Sequence, residues 1–176
     1  MLFIQWTRFT WDLKNLPDYE FQAPPHIQLR QMDAKESVHE AFDVIMRAYM
    51  TGRGWSTGLK LRLAKVQKAV ECSVNDEKLT FFAIEDGSRI VGVSGAHPAA
   101  DPQLVTGICI LEEYRCRGYG AALLHATLKH LAAHGLQEAS VITQNNIIAS
   151  KFLYPKFNSR QEIIQDANEV ERFLKV

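Results

Sequence analysis

The sequence is short of three features: charge of one sign, long hydrophobic runs and cysteine. Its 176 residues contain 20 Lys and Arg and 20 Asp and Glu, so no net field favours nucleic acid or an anionic membrane as a partner. No apolar run has the length of a membrane span. The first residues also lack the basic and apolar segments of a secretory signal peptide. Three cysteines without such a signal predict reduced thiols and a cytoplasmic protein.

The chain length predicts a single domain preceded by an N-terminal extension. The aromatic-rich residues 1–25 end at Pro24-Pro25, and residues 26–176 form the predicted domain. So many aromatic rings are not left in water, so we expect the extension to pack on the domain or on a second copy in a homodimer. The aromatic residues of the extension are Phe3, Trp6, Phe9, Trp11, Tyr19 and Phe21.

Hydrophobic periodicity and turn residues predict strands and helices in an α/β arrangement of the α+β type. The predicted strands are Ile27–Met32, Leu79–Glu85, Arg89–Gly95, Val105–Leu111, Ala139–Thr143, Gln161–Ile164 and Val170–Leu174, the last two as a closing hairpin. Helices are predicted over Val38–Tyr49, Leu59–Val70 and Gly120–His134, with a short one ending near Tyr154. A basic stripe on the second helix (Lys60, Arg62, Lys65 and Lys68) is interpreted as a solvated face.

A glycine loop between the strand Val105–Leu111 and the following helix predicts a binding site for a phosphate group. Gly118 and Gly120 give a ligand access to backbone N–H groups that have no partner at the start of a helix. Arg115 and Arg117 add positive charge to the same loop. A P-loop is excluded because Ala121 and Ala122, rather than Lys and Ser or Thr, follow Gly120. A dinucleotide fingerprint is excluded because position 123 is Leu.

The pattern Arg115-x-x-Gly118-x-Gly120, directly after a strand, resembles the acyl-CoA-binding signature of the GNAT superfamily of N-acetyltransferases. The run Ile110-Leu111-Glu112-Glu113-Tyr114-Arg115 resembles the lead-in to that signature, with Glu112 in place of a proline. The resemblance implies a central mixed, mostly antiparallel sheet of about six or seven strands flanked by about four helices. It further implies an N-acetyltransferase that uses acetyl-CoA and no metal. The alternative is an ordinary strand–turn–helix connection.

The resemblance also implies the residues of the site. Those expected to bind the cofactor are Ile110, Leu111, Arg115, Cys116, Arg117, Gly118, Tyr119, Gly120, Ala121, Asn145 and Asn146. Leu153-Tyr154-Pro155-Lys156 resembles the family's segment that carries a catalytic tyrosine, so Tyr154 is the candidate acid; the alternative is aromatic packing. The two asparagines alternatively cap the short helix. Tyr49, Arg53 and Trp55 are expected to bind the acceptor from a mobile loop.

No residue is assigned as the general base. Glu112, Glu113, His97 and Asp101 are weak candidates, and ordered water is an alternative. His130 and His134 are one helical turn apart but lack the other ligands of a metal site. The acceptor is a small-molecule amine or the amine of a protein or peptide. The alternative function is a catalytically weak or inactive acyl-CoA-binding module that acts as a sensor or interaction protein.

Overall fold

The computed structural model describes residues 4–33, 38–52, 57–72 and 76–174. Its seven strands are β1 (Trp6–Asp12), β2 (Ile27–Gln31), β3 (Thr80–Asp86), β4 (Arg89–Ala96), β5 (Leu104–Ile110), β6 (Glu138–Gln144) and β7 (Arg160–Ile163). Its five α-helices are α1 (His39–Met50), α2 (Thr57–Cys72), α3 (Tyr119–Ala133), α4 (Ile148–Phe152) and α5 (Ala167–Leu174). None of the helices in these ranges combines the length and hydrophobicity needed to cross a bilayer.

The first sheet has the order β2-β3-β4-β5, and all its neighbouring strands are antiparallel. Its centre is the predicted hairpin of β3 and β4, which turns through Gly87 in the left-handed region (φ +61°). Both strands are largely buried, because α1 and α3 pack on them. The sequence prediction of this hairpin is therefore confirmed.

The second sheet has the order β6-β1-β7, so the aromatic N-terminal segment supplies its middle strand. Phe9 and Trp11 alternate with polar residues along β1, and both are buried in the core beside α3. Tyr19 and Phe21 pack on rings of the same chain, His125 and Tyr119 respectively. These described aromatic residues are thus covered without a second copy. A domain boundary at residue 25 and a homodimer remain predictions.

The two sheets part at β5 and β6, which are neighbours although no ladder of hydrogen bonds joins these two fully described strands. Opposite Gly95 of β4, strand β5 carries three residues between paired positions, and we call residues 105–107 the β5 bulge. The Thr106 hydroxyl accepts the Gly95 amide at 2.8 Å and donates to the Gly107 carbonyl at 2.7 Å. Gly107 itself has a φ of +67°, a conformation that glycine adopts at little cost.

The predicted closing hairpin is wrong in its second half. Strand β7 forms and pairs with β1, but the following segment is helix α5. Val170, Phe173 and Leu174 are spaced at three and four residues, which is the helical repeat. Asp166 accepts the Asn168 amide through its side chain at 2.8 Å, as the residue at a helix start does. In the described part of the chain, five α-helices flank seven strands, which agrees with the expected sheet of about six or seven strands flanked by about four helices.

We predict that Gly107→Ala destabilises the protein more than Gly87→Ala does. Both positions have a similar positive φ, so each variant loses about 1 kcal/mol to backbone strain. A Cβ at Gly107 would also lie 2.8 Å from the Tyr154 hydroxyl oxygen, whereas a Cβ at Gly87 meets nothing within 4 Å. The free energy of unfolding, measured in urea, should fall by about 3 kcal/mol for Gly107→Ala. Equal losses in the two variants would contradict this packing.

Candidate active site

A cleft of about 480 Å³ opens where the two sheets part. Residues of β5, β6, α1, α2, α4 and the start of α3 line it. Ile148 and Phe152 of α4 line its rim although they are 43% and 70% exposed. Exposed apolar side chains around a concave surface are typical of a binding site.

One end of the cleft provides backbone N–H groups for an anion. Gly118 precedes α3 with a φ of +83°, and no side chain caps the helix. The first hydrogen bond of the helix runs from the Ala122 amide to the Gly118 carbonyl. The amides of Tyr119, Gly120 and Ala121 therefore have no partner inside the helix, and the positive end of its dipole lies with them. This geometry agrees with the phosphate site expected from the sequence.

The loop before α3 is held in place by its own side chains. Arg115 donates to the carbonyls of Ile110 and Ala48 and to the Thr51 hydroxyl, at 3.1–3.3 Å. It thereby joins the end of β5 to the end of α1. Arg117 is exposed and donates to the Glu113 carbonyl, with its guanidinium over the Tyr114 ring. Contact of either arginine with a phosphate remains a prediction.

Tyr154 lies beside β5 in the middle of the cleft. Its hydroxyl oxygen accepts the Ile108 amide at 2.9 Å, and its ring packs between Phe9 and Trp11. Burial raises the pKa of Tyr154 well above its ordinary value, so the phenol keeps its proton at physiological pH. Among the described residues, no acceptor takes that proton in a hydrogen bond. The structure therefore presents a protonated hydroxyl to the cleft.

The first helix contributes one of the predicted acceptor-binding residues. Tyr49 of α1 lines the cleft and donates its hydroxyl to the Thr106 carbonyl at 3.0 Å. Burial raises the pKa of Tyr49 to about 12. The other two predicted residues, Arg53 and Trp55, lie outside the described part of the chain.

Four of the expected cofactor residues do not line the cleft. Leu111 is 2% exposed and belongs to the core beneath β4, and the Arg117 side chain points away along the surface. The Asn145 side chain accepts the Gln5 amide and so extends the pairing of β1 and β6. Asn146 also lies outside the cleft, and α4 starts after Ile147, whose own side chain forms no cap. The remaining described residues of that set all line the cleft.

The cleft lining also includes Tyr19, Arg62 and Lys156, to which the sequence analysis assigned no role in the site. Tyr19 arrives from the N-terminal segment and approaches Gly118, a long-range contact without a local signal. Arg62 is 5% exposed, so its assignment to a solvated face was wrong. Its position, three residues after Leu59 and four before Val66, places it at the edge of the apolar stripe of α2. That spacing is the signal that could have identified it.

A comparison with protein-family models matches residues 27–158 to the acetyltransferase (GNAT) family. The chain belongs to the GNAT acetyltransferase family. The matched segment contains the start of α3, Tyr154 and the other cleft-lining residues named above except Tyr19. The sequence resemblance to this family is therefore confirmed; acyl transfer is the general activity of the family.

Solved structures share the GNAT fold at low sequence identity. A functionally unknown conserved protein from Staphylococcus epidermidis has a TM-score of 0.59 at 12% identity, over 91% of this chain and 58% of that chain. A GCN5-related N-acetyltransferase from Kribbella flavida has a TM-score of 0.55 at 13% identity, over 92% and 56% of the two chains. A putative GNAT acetyltransferase from Novosphingobium aromaticivorans has a TM-score of 0.52 at 14% identity, over 92% and 61%.

The chain thus spans less than two thirds of the length of these structural relatives. A search of curated proteins found no matching relative.

The candidate bases considered from the sequence lie away from the GNAT cleft. Glu112, Glu113, His97 and Asp101 are absent from its walls, and His97 instead contacts Asp76 at 3.0 Å. Within the described ranges, no carboxylate or imidazole lines the cleft. The same ranges contain no group of three or more His, Cys, Asp or Glu that could hold a metal ion. The ring of His130 packs on Phe82, and that of His134 is exposed.

We predict that the two described cysteines of the cleft differ sharply in reactivity. Cys116 is exposed on the loop, whereas Cys109 is buried in β5, where burial raises the pKa of its thiol to about 12. Iodoacetamide at pH 8 should therefore label Cys116 and spare Cys109 until the protein is unfolded. Mass spectrometry of the peptides measures both sites. Equal labelling in the native protein would mean that solvent reaches β5 freely.

Proposed function

We propose that this GNAT protein transfers an acetyl group from acetyl-CoA to the amine of an acceptor. One observation carries the proposal: the free amides of Tyr119, Gly120 and Ala121 and the Tyr154 hydroxyl lie along one cleft. The amides suit the pyrophosphate of CoA at one end. The hydroxyl is then available to the thioester further along β5. Arg62, Arg115 and Lys156 make the described lining cationic, which also favours an anionic ligand.

The reaction forms one bond and breaks one. The neutral amine nitrogen attacks the thioester carbonyl carbon, the new C–N bond forms, and the C–S bond breaks. The sulfur leaves as the CoA thiolate, and the amine loses a proton. A thiol has an ordinary pKa of about 8.5, so the sulfur is a good leaving group and needs only moderate help.

Tyr154 supplies that help as a hydrogen-bond donor. Its oxygen already accepts the Ile108 amide, which holds the ring in place and leaves the hydroxyl proton to point into the cleft. Because its pKa is raised above that of a thiol, the phenol stabilises the thiolate without losing its proton outright. We therefore assign Tyr154 to stabilising the leaving sulfur, and final protonation to water.

The acceptor amine loses its proton to solvent in this proposal. The described walls of the cleft offer no carboxylate or imidazole, so none of these side chains is positioned as a general base. An alkylamine with a pKa near 10.4 is mostly protonated at pH 7, which costs about 4–5 kcal/mol. The rate should therefore rise with pH until the amine is neutral. The acceptor remains a small-molecule or peptide amine at this stage.

The first experiment is a calorimetric titration with acetyl-CoA, with NAD and ATP as control ligands. We predict selective binding of acetyl-CoA and its loss in Gly118→Asp. Gly118→Asn is the matched control, because Asn has the same shape, adopts a positive φ readily and carries no charge. The carboxylate of Asp should weaken binding by at least tenfold relative to Asn by repelling the pyrophosphate. Equal affinities in the two variants would contradict the assignment of this loop.

We further predict that Tyr154→Phe lowers both stability and turnover. The Ile108 amide loses its acceptor, so the free energy of unfolding should fall by about 1–3 kcal/mol. Loss of the donor to sulfur should lower kcat by about 10²-fold, measured as thiol release.

The control for this experiment is Thr127→Val, which removes a buried hydrogen bond to Ser94 away from the cleft. Thr127→Val should lower the free energy of unfolding by a similar amount and leave kcat unchanged. A kcat in Tyr154→Phe that matches the control would reject the catalytic role of the hydroxyl. If the wild-type protein binds acetyl-CoA but acetylates no amine, the result would support the alternative function, an acyl-CoA-binding module without catalysis.

A further inference from the structure

Arg62 is a buried cation on the cleft that the transfer reaction does not explain. It is 5% exposed, and its side chain reaches the cleft from α2. Its Nη2 donates to the Val105 carbonyl in the β5 bulge. The guanidinium carbon lies over the Phe173 ring of α5, 4.6 Å from the ring centroid. Contacts with β5 and α5 therefore fix the position of this group.

Among the residues that the structure describes, Arg62 has no counter-ion. No carboxylate in the described ranges forms an ion pair with it. The groups that face it are the hydroxyl of Tyr49, the thiol of Cys109, the phenol of Tyr154 and the ammonium of Lys65. All are neutral or cationic at pH 7. Burying a charge without a counter-ion costs free energy. An anionic ligand bound at Arg62 would therefore be stabilised more than one bound to an exposed arginine.

Arg62 contacts β5 at a different point from the start of α3. Its Nη2 donates to the Val105 carbonyl, whereas a Cβ at Gly120 would lie 3.7 Å from the Ile108 side chain. Three residues of strand span about 10 Å. The Tyr154 hydroxyl binds the Ile108 amide. The cleft thus offers a second cationic group, separate from the amides of α3, on the Val105 side of the donor hydroxyl.

From this arrangement we infer that the acceptor is an amino carboxylate, with its carboxylate held by Arg62 and its amine directed towards Tyr154. The inference rests on the proposed acetyl transfer and specifies its substrate class. A guanidinium binds a carboxylate through two parallel hydrogen bonds, which fixes orientation as well as position.

The spacing along β5 agrees with an acceptor of this size. Val105 and Ile108 are three residues apart, about 10 Å of strand, and the bulge shortens that path. An amino acid that forms one hydrogen bond through its carboxylate and another through its amine spans most of this distance. The amine of such an acceptor therefore lies near the Tyr154 hydroxyl, where the proposed reaction requires the thioester carbonyl. The C–N bond forms at this point.

The test compares acceptors that differ only in the carboxylate. Each of the common amino acids is assayed by thiol release beside its amide and its decarboxylated amine, after acetyl-CoA binding has been measured by calorimetry. We expect at least one amino acid to be acetylated with a kcat/KM at least 30-fold above that of its amide. The preference should appear mainly in KM of the acceptor, with KM of acetyl-CoA unchanged.

Variants of Arg62 then assign the effect to this residue. Arg62→Met should raise KM of the amino acid by about 100-fold and remove the preference over the amide. Arg62→Lys, which keeps the charge but loses the paired donors, should fall between Arg62→Met and the wild type. Lys65→Met is the matched control: Lys65 contacts the same Phe173 ring but does not line the cleft, so its KM should change less than threefold.

Each outcome decides between the two proposals. If acetyl-CoA binds and amines without a carboxylate are equal or better acceptors, the inference is wrong and the acetyl transfer stands. Unchanged selectivity in Arg62→Met would also reject it. If acetyl-CoA does not bind, the proposed function fails and the acceptor class with it. Should Arg62→Met fail to fold, the wild-type comparison and Arg62→Lys still decide.

Discussion

The cleft depends on one hydrogen bond, from the Ile108 amide of β5 to the hydroxyl of Tyr154. A strand edge that faces another strand normally satisfies such an amide through a backbone carbonyl. Here a phenol takes that place, and β5 and β6 are left without a ladder between them. Gly107 makes the contact feasible, because any Cβ at this position would overlap the phenol oxygen. The phenol thus satisfies a backbone amide at the opening between the two sheets.

The β5 bulge connects the stability of the fold to the chemistry of the site. Its carbonyls at Val105 and Thr106 accept from Arg62 of α2 and Tyr49 of α1, and Tyr154, which follows α4, binds the adjacent Ile108 amide. Each of these side chains satisfies the backbone and also presents a group to the cleft. A substitution at any of them is expected to affect both stability and activity, so its effect on activity has to be compared with that of a variant of similar stability.

Local patterns explain what could be predicted from the sequence. The hairpin of β3 and β4 follows from alternating apolar residues around a glycine turn, and the start of α3 follows from Gly118 and Gly120 after an apolar strand. The prediction of the closing hairpin was wrong because it relied on the strand propensity of residues 170–174 and neglected the helical spacing of Val170 and Phe173. Arg62 was missed because basic residues of a helix were treated as one solvated face, although helical geometry places this one beside Val66.

The sequence by itself determined the family, the order of most elements and the loop whose backbone amides can hold a phosphate, because each is encoded within a short stretch of chain. Only the tertiary structure decided which side chains reach the cleft. It brings Tyr154, Tyr49 and Arg62 to the same bulge from positions up to about 100 residues apart, and it takes Asn145 away to pair with Gln5. Such contacts depend on how the sheets and helices pack, and no local periodicity records that packing.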